Sequence, residues 1–102
     1  MEESERRQRY DNNIAIVGDF LKEAFPGRTV VDVFDGTRSA QFYRIDAPGG
    51  VAHRVIVSKE FLEDHESAEV LRLLNDWALA STVRGAGARL VRVTNSGCSV
   101  VG

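Results

Sequence analysis

Among the side chains that could act as a general base or a nucleophile, His53, His65 and Cys98 stand out. Nucleophilic catalysis needs a thiol or hydroxyl held beside an activating base. Cys98 stands in a Gly-Cys-Ser-Val-Val run that is typical of a strand, and the two histidines lie in different predicted elements. We therefore interpret Cys98 as a small packed thiol and both histidines as structural residues. A small enzyme that uses His53 or Cys98 remains one of three hypotheses.

The spacing of possible ligands predicts neither a metal site nor a cofactor site. The chain contains no Cys-x-x-Cys pair and no His-x-x-x-His pair, which are spacings with which metal sites are usually built. The glycines of residues 85–88 follow a predicted helix and precede a predicted strand. A phosphate-binding loop has the reverse order, because it must deliver the phosphate to a helix N-terminus.

Arginines and aromatic residues on two predicted neighbouring strands suggest a surface for unpaired bases. Side chains alternate along a strand, so Phe42 and Tyr43 point to opposite faces and one of them belongs to the core. Stacking on aromatic and guanidinium groups is how many proteins bind single-stranded nucleic acid. We assign to this candidate site Arg38, Arg44, Arg54 and Tyr43.

Charge is unevenly distributed along the chain, although the net charge is only −2. Residues 58–82 carry two positive and six negative side chains, whereas residues 83–102 carry three positive ones and no negative one. The acidic balance argues against duplex DNA, whose binding domains usually carry a basic stripe. The contrast between the two segments indicates a surface for a protein partner, to which we assign Glu63, Glu66, Glu69, Arg89 and Arg92.

The elements that position these residues follow from the periodicity of the apolar side chains. Pro26 and Gly27 end the first helix, Ser58 is a predicted N-cap, and Gly85 and Gly87 stop the second helix. Asp-Gly, Pro-Gly-Gly and Asn-Ser-Gly turns separate alternating strands. The predicted elements are a helix over 10–25 preceded by a fraying segment over 1–9, strands over 28–34, 39–46 and 51–57, a helix that pauses near His65 and continues from Ser67, and strands over 89–94 and 98–101.

The order α-β-β-β-α-β-β in 102 residues predicts a single α+β domain over residues 1–102. Two helices with one apolar stripe each most simply cover the same face of a small antiparallel sheet, which makes a two-layer sandwich with one exposed sheet face. The sequence does not decide whether the last hairpin pairs with the first strand or with the third strand of the sheet. A composition of 43% hydrophobic and 27% charged residues is that of an ordinary folded domain.

The sequence favours a non-enzymatic module that acts through protein contacts, with self-association as a homodimer through an unpaired strand edge as its simplest form. Single-stranded nucleic-acid binding at the arginine and aromatic face is the second hypothesis. No apolar run is long enough for a membrane span, and the charged first residues do not fit a signal peptide. The expected compartment is the cytoplasm, with which a single cysteine agrees.

Overall fold

The computed structural model describes residues 2–101, which form helices on one side of a five-stranded sheet. In chain order the elements are α1 (Glu2–Ala24), β1 (Thr29–Asp35), β2 (Ala40–Ala47), β3 (Gly50–Ser58), α2 (Lys59–Asp64), α3 (Ser67–Asp76), α4 (Leu79–Ala86), β4 (Leu90–Thr94) and β5 (Gly97–Val100). The predicted α+β class is confirmed.

α1 is the amphipathic helix that the apolar spacing predicts. Val17 and Leu21 are fully buried, and Phe25 is 8% exposed. The Phe25 amide still donates to the Leu21 carbonyl at 3.0 Å, which closes the last turn before Pro26. The helix thus delivers its apolar stripe to the core over its C-terminal half.

The segment expected to fray is helical from Glu2 onward. Two arginines attach it to the far end of α2. The Arg6 guanidinium donates to the Asp64 carboxylate at 2.6 Å, and Arg9 Nε donates to the Glu63 carbonyl at 2.7 Å. Contacts between elements that are distant in sequence, which local patterns do not reveal, therefore extend the helix. Met1 lies outside the described residues.

β1, β2 and β3 form the predicted meander. β1 and β2 pair antiparallel from Thr29–Asp46 to Asp35–Ala40. The Asp35 carboxylate accepts the amides of Thr37 and Arg38 at 3.1 and 3.2 Å, as aspartate commonly does in turns. These contacts make Asp35 a turn residue, as the Asp-Gly turn predicts.

The helical region after β3 pauses at His65 and resumes at Ser67 as predicted, but a second break divides the main helix, so that the region forms three helices. Ser58 caps the first of them as predicted, and its Oγ accepts the Phe61 amide at 3.1 Å. The unpredicted break falls at Ala78, whose φ of 52° lies in the left-handed region. Alanine disfavours that region, so no local signal marks the break. The turn allows Leu74 before it and Leu79 after it both to be fully buried.

The sheet is mixed, which corrects the predicted purely antiparallel sheet. Its strand order is β1-β2-β3-β4-β5, and β3 pairs parallel with β4 while the other neighbours are antiparallel. Parallel neighbours need a long crossover, which α2, α3 and α4 supply. The last hairpin therefore extends the β3 side of the meander and leaves β1 and β5 as the two edges.

The core lies between the helices and one face of the sheet, as the two-layer arrangement requires. Alternate residues of the three central strands supply its sheet side, all of them fully buried: Tyr43, Ile45, Val55, Val57, Val91 and Val93. We call the other side of the sheet the open face. Among residues 2–101, no helix is both long and apolar enough to cross a bilayer.

Candidate functional site

β1 is an edge strand with exposed apolar side chains. It pairs with β2 alone, so the other side of its backbone has no strand partner within residues 2–101. Val31, Val33 and Phe34 are 40%, 59% and 49% exposed. Such an edge is a template for pairing with another chain, and proteins usually blunt or cover it. β1 is therefore a candidate site for protein contact.

A groove runs between α1 and β1, and we call it the α1–β1 groove. Its larger cavity, about 690 Å³, is lined by Tyr10 and Ile14 of α1 and by Phe34 of β1. A second cavity of about 270 Å³ follows along the same two elements and is lined by Gly18 and Asp32 among others. Gly18 adds no side chain to this cavity, and a Cβ built there would meet only the Tyr43 ring of β2, at 3.8 Å. Every second side chain of a strand added to β1 would point into the groove.

The smaller cavity of the groove is acidic. Asp11 and Asp19 of α1 and Asp32 of β1 line it together with Lys22. Three carboxylates against one ammonium group favour a positively charged guest. The groove thus combines an acidic centre with an end where Ile14 and Phe34 lie among charged residues of both signs.

A chain of hydrogen bonds fixes the Asp32 carboxylate at the floor of the groove. Tyr10 Oη donates to Gln41 Oε1 at 2.8 Å, and Gln41 Nε2 donates to Asp32 Oδ2 at 2.6 Å. Gln41 is only 5% exposed, so this amide has little freedom to turn. Burial raises the pKa of Tyr10, and the charges of Asp11, Glu63 and Asp32 raise it further. The tyrosine therefore stays a hydrogen-bond donor at neutral pH.

Tyr43 lies in the core, which corrects its assignment to an exposed binding face. It is fully buried, and its Oη donates to the Ile14 carbonyl at 2.7 Å. Burial, assisted by the charge of Asp32, raises the pKa of Tyr43. Alternation then places the half-buried Phe42 on the open face with Arg44. The aromatic residue available to a ligand there is Phe42.

Arginines form a diagonal across the open face. Arg44 of β2 stands directly opposite Arg54 of β3, and Arg92 of β4 stands opposite Ile56, two residues further along β3. Arg44 is held by Asp46 through contacts of 2.8 and 3.1 Å. Within the described chain, no carboxylate lies within 4.0 Å of the guanidinium groups of Arg54 and Arg92.

A shallow cavity of about 470 Å³ lies beside this diagonal. Arg38 and Arg92 stand at its rim, and Arg38 is 3.8 Å from the Asp35 carboxylate. Its remaining lining is apolar or carries a hydroxyl group, and consists of Ala40, Ile56, Ser58, Leu90, Thr94 and Val101. The structure therefore adds Arg92 to the arginines that the sequence groups together.

The five residues assigned to a protein-docking patch do not form one surface. Arg92 lies on the open face, whereas Glu66 and Glu69 belong to the helix layer on the other side of the sheet. Glu63 lines the α1–β1 groove. Arg89 Nε donates to the Ala86 carbonyl at 3.4 Å, within its own turn. The acidic and basic residues assigned to this patch therefore lie apart in space and do not form ion pairs with one another.

His65 joins three elements. Its Nδ1 contacts the Glu69 carboxylate, and its Nε2 contacts Asn95 Oδ1 at 2.8 Å. Asn95 Nδ2 donates to Asp64 Oδ2 at 2.9 Å, and Arg6 donates to the other oxygen of the same carboxylate. We call these five residues the His65 cluster. Both ring nitrogens are engaged within the protein, so the cluster connects α1, the α2–α3 junction and the β4–β5 turn.

His53 and Cys98 do not form a catalytic pair. His53 Nδ1 donates to the Gly87 carbonyl at 2.9 Å, and its ring packs on Phe25 with 4.8 Å between centroids. Cys98 Sγ donates to the Trp77 carbonyl at 3.3 Å. β4 separates the strands that carry them, and Cys98 aligns with Val57, four residues beyond His53 on β3. Both residues act in packing and local hydrogen bonding.

Across residues 2–101, no three histidine, cysteine, aspartate or glutamate side chains gather closely enough to hold a metal ion. The surfaces that remain are the β1 edge with its groove and the arginines of the open face. No protein-family profile, no curated protein and no solved structure matches the chain.

Proposed function

We propose that the protein is a binding module that takes up an extended segment of a partner protein along the edge of β1. The observation that carries the proposal is the seven-residue edge strand with three exposed apolar side chains beside the α1–β1 groove. Strand addition supplies main-chain hydrogen bonds for affinity and pockets for alternate side chains for specificity. This refines the protein-contact hypothesis to one edge of the sheet.

The chemistry of the groove defines the partner segment. A residue opposite Asp32 meets the carboxylates of Asp11, Asp19 and Asp32, so a lysine or arginine fits there. A residue two positions away reaches the larger cavity, where an apolar side chain can pack on Ile14 and Phe34 among charged residues of both signs. The intervening residues of the partner segment lie over Val31 and Val33 on the open face. Apolar side chains fit there, because both valines are exposed.

A second copy of the chain is the alternative occupant, and charge disfavours it. Two β1 strands paired about a two-fold axis at position 32 would match Val30 with Phe34 and Val31 with Val33. The same register places Asp32 directly opposite Asp32 of the copy. Like charges directly opposite in an antiparallel pair are destabilising. A foreign segment with a cation at that position avoids the repulsion.

The proposal is tested by selecting binders from a displayed library of random peptides against the full chain. We expect enriched peptides to carry lysine or arginine with apolar residues at alternating positions around it. Their affinity for Val33→Lys should fall at least about tenfold, which corresponds to about 1.4 kcal/mol. Hydrogen exchange should show new protection at β1 amides in the complex, because unpaired edge amides become hydrogen-bonded.

The control is Val100→Lys, which introduces the same charge at an exposed valine on the opposite edge, β5; Val100 is 38% exposed and Val33 is 59% exposed. It should leave peptide affinity unchanged. Asp32→Lys should reject the selected peptides and accept versions in which glutamate replaces the central basic residue. A library that yields no enriched peptide, or peptides that bind Val33→Lys as tightly as the original chain, would refute the proposal.

A further inference from the structure

The open face is positively charged on a chain whose net charge is −2. Its arginines outnumber the carboxylates that lie with them, Asp35 and Asp46, each of which is already beside an arginine. Arg44 and Arg54 stand directly opposite each other on neighbouring strands, which is unfavourable for like charges. An anion placed between them would offset this repulsion. The face is therefore electrostatically complementary to a polyanion.

Apolar groups accompany the charge on the same face. The half-buried Phe42 lies beside Ile56 across the β2–β3 pair, and Ile56 forms part of the cavity of about 470 Å³ between Arg38 and Arg92. The Ser58 and Thr94 hydroxyl groups also line that cavity. A duplex presents its phosphates and hides the faces of its bases. Unpaired bases expose flat apolar faces that stack on aromatic rings and guanidinium planes.

We propose that the open face binds single-stranded nucleic acid. Arg54 and Arg92 bind backbone phosphates, since neither has a carboxylate partner among the described residues. Arg44 lies between these phosphates and the Asp46 carboxylate, which it also contacts. One base stacks against Phe42, and its neighbour occupies the cavity lined by Ile56. The proposal does not rest on the proposed strand addition, although Phe42 and Arg44 stand opposite Val33 and Val31 of β1 on the same face.

The test is the fluorescence anisotropy of labelled oligouridylate and oligothymidylate titrated with the full chain at several salt concentrations. For a single strand, the logarithm of affinity falls with the logarithm of salt by about 0.7 per phosphate contacted. The Arg54→Gln/Arg92→Gln double variant should bind at least about tenfold more weakly at low salt, and its slope should be smaller by about 1.4. Phe42→Ala should weaken binding by about fivefold or more with the salt slope unchanged, because stacking involves no phosphate.

The control is the Arg28→Gln/Arg72→Gln double variant, which removes the same charge from a turn and from α3, away from the open face. It should bind like the original chain. Far-UV circular dichroism of every variant establishes that the fold is retained. Loss of affinity in the control equal to that in the Arg54→Gln/Arg92→Gln variant would overturn the assigned site.

Two further ligands distinguish binding through exposed bases from binding through charge alone. A duplex of the same length should bind more weakly than the single strand, and so should polyglutamate of equal charge, since neither offers exposed bases. Equal affinity for either of them would overturn the proposal, because binding would then be by charge alone. Absence of oligonucleotide binding at low salt would overturn it as well.

Discussion

Asn13 shows how a single polar residue organises one end of the molecule. It is fully buried in α1. Its Nδ2 donates to the carbonyls of Leu62 and His65 at 2.9 and 2.7 Å, and its Oδ1 accepts from Ser67 Oγ at 3.0 Å. Two of these partners are carbonyls at the end of α2, where helix geometry leaves backbone groups without an intrahelical partner.

Asn13→Ala should lower the free energy of unfolding by about 1–3 kcal/mol, because it leaves buried carbonyls unsatisfied. Urea denaturation followed by circular dichroism measures the change. The neighbouring Asn12→Ala is the control, since Asn12 is exposed and such surface changes usually stay within about 0.5 kcal/mol. Equal effects of the two substitutions would show that the Asn13 contacts do not stabilise the fold.

Sequence patterns predict only some of the polar side chains that are buried in the core. Asn13 lies three residues after Tyr10 and four before Val17, so it is a polar residue on an apolar stripe, which is a usable signal. The assignment of Tyr43 fails for another reason. Alternation separates Phe42 from Tyr43 but does not tell which of them faces the helices. Only the packing of α1, whose Ile14 carbonyl accepts from Tyr43, decides it.

At the scale of elements, the His65 cluster attaches the α2–α3 junction to its surroundings through charged contacts. Hydrogen bonds from Arg6, and also from Asn95, lower the pKa of Asp64, and the hydrogen bond from His65 lowers the pKa of Glu69. A carboxyl group whose pKa is lower in the folded state stabilises the fold above its unfolded-state pKa, near 4. That stabilisation is lost as the pH falls through the folded-state pKa.

Unfolding measurements from neutral pH down to about pH 3 should therefore show a loss of stability over the acidic part of the range. Asp64→Asn and Glu69→Gln should each be less stable at neutral pH and should lose less stability on acidification. Glu60→Gln is the control, because Glu60 is an exposed first-turn residue of α2 that forms no ion pair within residues 2–101. A pH profile unchanged by both cluster variants would contradict this role for the cluster.

Elements with a strong local signal were predictable, and elements set by distant contacts were not. The meander follows from its turns and alternation, and the cap at Ser58 follows from its residue type. The division of the second helical region at Ala78 does not, because an alanine with a φ of 52° reflects burial of the flanking leucines. β1 reads as an ordinary valine-rich strand. Its exposure depends on its position at the edge, which only the strand order reveals.

For the whole molecule, the β1 edge predicts the oligomeric state. We expect the chain to sediment at the mass of a monomer at micromolar concentration, because self-pairing of β1 in the register centred on position 32 opposes the two Asp32 carboxylates. Asp32→Asn removes that repulsion and should shift the chain towards a dimer. Asp19→Asn, which neutralises a neighbouring carboxylate of the groove on α1, should not.

Sedimentation equilibrium of these variants also discriminates between the two occupants of the edge. A dimer of the original chain that Val33→Lys disperses would identify a second copy as the partner. Such a result would replace the foreign segment in the proposed function with self-association, and it would leave the nucleic-acid proposal untouched.

The parallel pairing of β3 with β4 has a consequence for the chain during its synthesis. The contacts of β1, β2 and β3 join strands that are neighbours in sequence. Such contacts close only short loops, so the meander forms quickly. β4 reaches β3 only after the whole of α2, α3 and α4 has been made. A nascent chain that ends before β4 thus exposes two strand edges, those of β1 and β3. Once β4 has been made, it covers the edge of β3, whereas the edge of β1 stays exposed.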